Sequence, residues 1–232
     1  MDTAGHNIAN AQTEGFSRQR VNVTQRDPLE RGNVVIGNGV YIESISRAHD
    51  KFIERQLNLA TQDVGDSRAR TESLQLIEPI YSPEMEANVI ERMTSFFNAM
   101  HDLSMQPDET PVRANLREAA QDLVMAFRRV DERLERNRAD IDVRIAAEAD
   151  DVNGLVDRIA KLNVAIGSIE VGRAQEANDL RDQRDLLIRK LSEKIDISYY
   201  NDNKNMLTIR GPDQVLLVEG KLASKVSTTK GV

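Results

Sequence analysis

Between Thr110 and about Ile169 the apolar residues recur in steps of three and four. They are Leu116, Ala120, Leu123, Phe127, Val130, Leu134, Ile141, Ile145, Val152, Leu155, Ile159, Leu162, Ile166 and Ile169. Asn137 or Arg138 and Glu148 fill the two polar gaps. A mean step of about 3.5 residues is the coiled-coil period. The stretch therefore predicts one helix from Pro111 onward, roughly 90 Å long at 1.5 Å per residue. A helix of that length outruns any small round core and must lie along other long helices. Asn153-Gly154 is ordinarily a turn pair, yet the seam keeps its phase across it, which argues for one helix that is at most bent.

The flanking patterns change period. Residues 1–10 read as the end of a helix, Gly15 as its stop, and Phe16 as the residue that tucks against whatever the helix packs on. Val21, Val23, Val34, Ile36, Val40 and Ile42 favour extended structure. Gly37-Asn38-Gly39 reads as a turn between two such runs, with Asp27-Pro28 and Arg31-Gly32 marking a looser loop. From His49 a weaker seam steps through Ile53, Leu57, Ala60, Val64, Ser67, Thr71 and Leu74, and it is interrupted by the poor helix formers Gly65-Asp66-Ser67. Pro79 and Pro83 break it, and Ser82-Pro83 opens a helix to Met105 that buries Val89, Met93, Phe96, Met100 and Leu103. Thr110 caps the long helix. Leu180, Leu187, Leu191 and Ile195 mark a shorter helix over about 176–194. Period two then returns in Ile195, Ile197, Tyr199, Leu207, Ile209, Val215 to Val218 and Leu222. Turns at 201–205, 211–213 and 219–220 make this the start of an antiparallel sheet.

The predicted fold is mainly α: an elongated antiparallel helical bundle with one very long helix and small antiparallel β elements. Its expected division is 1–48 (helix end and β-hairpin connector), 49–194 (helical domain) and 195–232 (first strands of an outer β domain). The polar opening and the unclosed final sheet both suggest an internal piece of a longer chain.

Composition narrows the chemistry. Aromatics are 4% and Trp is absent, so a core must come from Leu, Ile, Val, Met and Ala, which suits a narrow helical seam. The 38 acidic residues outnumber 31 basic ones, against a general nucleic-acid or anionic-membrane surface. No cysteine is present, which excludes disulfides and thiolate chemistry. No apolar run approaches the ~20 residues that span a bilayer, and residues 1–10 do not read as a signal peptide.

No catalytic, cofactor-binding or metal-ligating set emerges. His6, His49 and His101 fit no metal spacing, and 201–205 lacks the glycine and glutamate of a calcium loop. The arginines Arg128, Arg129, Arg133, Arg136, Arg138 and Arg144 are interleaved with Asp131, Glu132, Glu135, Asp140 and Asp142, a solvated face laced with ion pairs. Asp182, Arg184 and Asp185 read as a structural clamp near a helix start. An enzyme and a small-molecule substrate are therefore not expected.

Two stretches are more specific. Asn7-Ile8-Ala9-Asn10 with Thr13, Gly15, Phe16 and Arg18-Gln19 resembles the signature shared by the axial proteins of the bacterial flagellum. Gly37-Asn-Gly-Val-Tyr-Ile with Ile45, Arg47, Asp50, Phe52, Ile53 and Gln56-Leu57 resembles, within that group, the flagellar hook-associated protein 1 family. Asn178-Asp-Leu-Arg-Asp-Gln-Arg-Asp-Leu-Leu is similar to that family's run after the long helix. The resemblance implies a structural adaptor between hook and filament, in place of a rod or hook subunit or a cytosolic coiled-coil adaptor. It implies assembly roles for Asn7, Ile8, Asn10, Thr13, Gly15, Phe16, Arg18 and Gln19. It also implies partners: copies of itself in a ring, hook protein, a second junction or filament protein, and an export chaperone held by a C-terminal segment outside this sequence. The implied location is extracellular, reached through the flagellar secretion apparatus without a cleaved signal. On this reading the long helix's seam is filled by the helices starting near His49 and Pro83, and its charged face is left for neighbouring subunits.

Overall fold

A computed structural model describes residues 2–31, 34–81, 89–171, 176–201 and 206–229. Among them are five α-helices: α1 (Asp2–Ala9), α2 (Lys51–Tyr81), α3 (Val89–Met105), α4 (Thr110–Glu170) and α5 (Asn178–Ser192). Eight short strands accompany them: β1 (Gln19–Gln25), β2 (Leu29–Arg31), β3 (Val34–Ile36), β4 (Val40–Arg47), β5 (Ser198–Asn201), β6 (Leu207–Arg210), β7 (Leu216–Glu219) and β8 (Leu222–Ala223). All strand pairs are antiparallel. The fold is mainly α with small antiparallel sheets, as the periodicities predict.

The 61-residue α4 is unbroken across Asn153-Gly154. At its start the Glu109 carbonyl accepts the Arg113 N–H (3.2 Å), so Thr110 belongs to the helix and is not its cap. The asparagine of the suspected turn pair has a different task. Its side chain donates to the Val226 carbonyl (2.9 Å) and accepts the Val226 N–H (2.8 Å), copying the paired bonds of a β-ladder.

The chain forms two compact units, one of Met1–Asp66 with Glu148–Thr228 and one centred on Ser67–Ala147. They partition the residues differently from the 1–48, 49–194 and 195–232 division, which followed the type of secondary structure along the chain. In the first unit the sheet runs β5-β6-β7-β8 and supplies Leu207, Ile209, Leu217 and Val218 to one core. That core also holds Val152, Leu155, Val156, Ile159 and Ala160 of α4 with Ile188 and Leu191 of α5.

This corrects the expected filling of the seam. Val152, Leu155, Ile159 and Ile166 are buried and Leu162 half-buried, and the core around them is built by α5 and β6–β7, not by α2 and α3. Earlier on α4, in the second unit, Leu116, Leu123, Val130, Leu134 and Ile141 are only half-buried. Phe127 and Ile145 are 52% and 50% exposed. A single heptad seam therefore meets two different environments along one helix. In the second unit Arg92 of α3 reaches Asp122 of α4 (3.3 Å), and Asn137 of α4 donates to the Leu76 carbonyl of α2 (2.7 Å).

α2 corrects the sequence reading more sharply. It starts at Lys51, just after Asp50, whose side chain caps the N–H groups of Phe52 (2.8 Å) and Ile53, and it continues through Pro79. Its apolar stripe is outside: Ile53, Leu57, Val64 and Leu74 are all exposed. The face turned inward in the first unit is polar. Asn58 donates to the Tyr199 hydroxyl (2.8 Å), Gln62 donates to the Ile197 carbonyl (2.9 Å), and Glu54 accepts from Arg189 (3.1 Å). Gly65 is required there, because a β-carbon would sit 2.1 Å from the Glu193 carbonyl oxygen.

The connector is also nested more deeply than predicted. Gly37-Asn38-Gly39 does not turn β3 back on β4. Instead β2 pairs with β3 and β1 with β4, so Gly39 lies opposite Arg26, whose N–H donates to the Gly39 carbonyl (2.9 Å). The supposed loop around Pro28 contains the strand Leu29–Arg31. In α3, Met93 and Met100 are exposed, Val89, Phe96 and Leu103 half-buried, and Ala99 buried. The proposed start at Ser82-Pro83 and the turn residues 202–205 lie outside the described residues.

Candidate assembly site

The three motifs of the sequence meet on α5. Its residues 178, 182, 185 and 189 share one face by helical spacing, and each holds a segment from far along the chain. Asn178 donates to the Ile45 carbonyl (2.7 Å) at the end of β4. Asp182 and Asp185 each accept from Arg47 Nη1 at 2.7 Å, and Asp182 also accepts the Ser17 N–H (2.9 Å). Arg189 reaches Glu54 at the start of α2. His49 Nε2 lies 4.0 Å from Asp185.

Arg184 faces the other way. Its Nη1 donates to Asn163 Oδ1 (2.9 Å) on α4. Asn163, itself buried, also donates to the carbonyls of Leu207 (2.9 Å) and Gly220 (2.8 Å), tying α5, α4 and the sheet together. Arg181, on this side too, forms a two-pronged pair with Glu170 (2.7 and 2.8 Å). Glu170 also accepts the Ala177 N–H (2.9 Å), capping the start of α5 from the end of α4. Thus the Asp-Gln-Arg-Asp run has a simple geometric content. Its acids face the N-terminal segment and β4, its arginine faces α4, and Gln183 is exposed.

Electrostatics follow from burial. Around Arg47, desolvation opposes the charge, but the attraction of Asp185 and the hydrogen bonds to both aspartates outweigh it, so the pKa is raised. Among the described residues no carboxylate is hydrogen-bonded to Arg184, and burial lowers its pKa, with Asp185 partly countering and Arg181 and Arg47 adding to the fall. Burial would raise the Glu170 pKa, yet its bonds from Arg181 and the Ala177 N–H more than offset this, and it is lowered.

The N-terminal signature is mostly consumed inside the chain. Asn7 donates to the Gln19 carbonyl and accepts the Gln19 N–H, both at 2.9 Å. Asn10 closes the end of α1 on the His6 carbonyl (3.0 Å) and accepts from Thr13 (3.3 Å). Gly15 has φ +80°, and a β-carbon would press on Leu186 at 3.1 Å, so two separate constraints select glycine. Phe16 tucks edge-on against the His6 ring, centroids 5.4 Å apart. Asp179 collects His6 (3.1 Å) and Gln19 (2.6 Å). Ile8, 78% exposed, and Arg18 keep their side chains outside.

Sequence reasoning did not find Arg47, Asn163, Asn153 or Asn58 as structural centres. An asparagine next to a helical seam, as at 153 and 163, is the one local sign that was there to read. Among the described residues no group of three or more His, Cys, Asp or Glu is placed to hold a metal, and no helix is long and apolar enough to cross a membrane.

Comparison with known proteins shows the family. The family described as "Flagellar hook-associated protein FlgK helical domain" matches residues 74–232. The "Flagellar hook-associated protein 1" of Bacillus subtilis is 30% identical over 217 residues, covering 89% of this chain and 42% of that protein. Its counterpart in Escherichia coli K12 is 26% identical over 228 residues, covering 98% of this chain and 42% of its own. The chain thus spans about two fifths of the length of these relatives. In fold it resembles the solved flagellar hook junction protein FlgK from Burkholderia pseudomallei, with a TM-score of 0.62 at 24% identity over 73% of this chain and 30% of that one. The chain belongs to the flagellar hook-associated protein FlgK family.

Proposed function

We propose that this chain is the helical part of a structural subunit that joins the flagellar hook to the filament, and that it performs no catalysis. The observation that carries the proposal is the face of α5. There the N-terminal signature, the base of the β1–β4 ribbon and the start of α2 are locked together by Asn178, Asp182, Asp185 and Arg189. A junction subunit must transmit torque and bending between two lattices. It therefore needs its helical segments tied at fixed angles by directional, charged bonds.

The subunit works outside the cell, exported through the flagellar secretion apparatus without a cleaved signal. Its partners are copies of itself in a ring, hook protein, and a second junction or filament protein. An export chaperone binds a segment of the longer protein. Head-to-tail contacts of this kind close or continue helically according to geometry. Of the signature residues, Asn7, Asn10, Thr13, Gly15, Phe16 and Gln19 act by fixing the shape of the segment, and Ile8 and Arg18 are the two left for a neighbour.

Deleting the full-length protein should leave cells with hooks and no attached filaments, and restoring it should restore swimming. Filaments firmly attached in the deletion strain would refute the proposal. Gly15→Ala in the full-length protein should impair filament attachment through the Leu186 clash, and normal swimming would remove the assigned role of that turn.

A further inference from the structure

The β1–β4 ribbon sorts its side chains by face. By register Val21, Val23, Val40 and Ile42 share one side, and they are 39%, 60%, 65% and 61% exposed. On the other side, which also carries Tyr41 (44% exposed) opposite Thr24, polar groups satisfy one another: Asn22 donates to Ser44 (3.0 Å) and Ser46 (3.1 Å), and Thr24 donates to Glu43 (2.5 Å). In the separate β2–β3 pair, Leu29 and Ile36 lie opposite each other and are also exposed. Such sorting is the mark of a sheet with one face meant to be covered, and a bare two-stranded ribbon is marginal in water. Its base is nevertheless held firmly, by Arg47 on two aspartates and by Gln19 on Asn7.

A second surface of the chain has matching properties. On α3, Ile90, Met93, Phe97 and Met100 step by three and four and are 75%, 42%, 58% and 46% exposed. The charges of the two surfaces are opposite. With Arg47 set aside, since Asp182 and Asp185 neutralise it, residues 18–46 carry four arginines against three carboxylates, a net of +1 in a chain of −7, and residues 89–109 carry one arginine against four carboxylates, a net of −3. Complementary charge around apolar patches sets partner choice and register.

We propose that the apolar face of the β1–β4 ribbon docks on the Ile90/Met93/Phe97/Met100 stripe of a second copy of this chain. The inference rests on the junction reading, since a head-to-tail contact of two unlike surfaces generates rings or helices rather than closed pairs. In the isolated chain the contact is weak, and it is strengthened when many copies are held side by side.

The absence of cysteine gives a clean test. Gln25→Cys places a thiol beside Val23 on the ribbon, and Thr94→Cys places one beside the α3 stripe, leaving every apolar residue intact. Mixing the two purified variants with a short bis-maleimide should give cross-linked dimer at least fivefold above a Gln25→Cys and Lys161→Cys mixture. Adding Ile42→Glu to the ribbon variant should return the yield to that control level, with circular dichroism confirming that the fold is kept. Equal yields from the test and control mixtures would overturn the contact. In the full-length protein, Ile42→Glu should impair filament attachment. Normal attachment with that variant would overturn the ribbon contact while leaving the junction function standing, because only the deletion strain tests the latter.

Discussion

Replacing Arg47 by Met should expose how the α5 face holds the N-terminal segment. Arg47 Nη1 lies 2.7 Å from both Asp182 Oδ1 and Asp185 Oδ2, so those oxygens are at most 5.4 Å apart, twice 2.7 Å. Their side chains are only 5% and 19% exposed. Without the guanidinium, two like charges at that separation repel by about 3 kcal/mol at an effective dielectric of about 20. Breaking a buried pair by removing one partner costs about 3–5 kcal/mol in all. The expected loss at about pH 7.5 is therefore about 3–4 kcal/mol for the unit containing Arg47. Urea unfolding followed by far-UV circular dichroism gives the totals. Amide hydrogen exchange of 17–25 and 178–190 assigns them to the right unit, since two compact units need not unfold together. A loss below about 1 kcal/mol would refute this account of the cluster.

Three further outcomes follow from the same structure. Gly65→Ala should lower stability by about 1–3 kcal/mol through overpacking against the Glu193 carbonyl, although alanine favours a helix over glycine by about 1 kcal/mol. A raised melting temperature would contradict the close approach. Asn153→Ala should lose two hydrogen bonds to Val226, about 1–3 kcal/mol together, and speed hydrogen exchange at Val226 while leaving α4 helical. Unchanged exchange there would count against the clasp. Glu170→Gln tests a pH sign. The Glu170 pKa is depressed in the folded chain, so its stabilisation is present above the ordinary value of 4.5 and lost as the pH falls through the folded value. The variant should cost about 1–3 kcal/mol at neutral pH and progressively less in acid, and a cost independent of pH would rule that linkage out.

The α4 seam shows what local pattern determines. A repeat held over 53 residues leaves the backbone few choices, so length, continuity and helical state were all legible, even across Asn153-Gly154. The alternation after Ile195 likewise fixed the meander β5-β6-β7-β8, because side chains on successive residues of a strand must face opposite sides. Motif spacing was enough to point to the family.

Tertiary structure alone decided which surface met which. The stripe of Ile53, Leu57, Val64 and Leu74 reads as a buried face, yet it is outside, and Glu54, Asn58, Gln62 and Gly65 turn inward. Periodicity reports that a helix has an apolar side but not whether its own chain supplies the cover. Asp182 and Asp185 were visible as a pair, but their cation came from Arg47, more than 130 residues earlier. A salt bridge at that separation leaves no spacing to read. Sequence set the helices, the strands and the chemistry each could offer, whereas only the packing of distant segments fixed the partners of that chemistry.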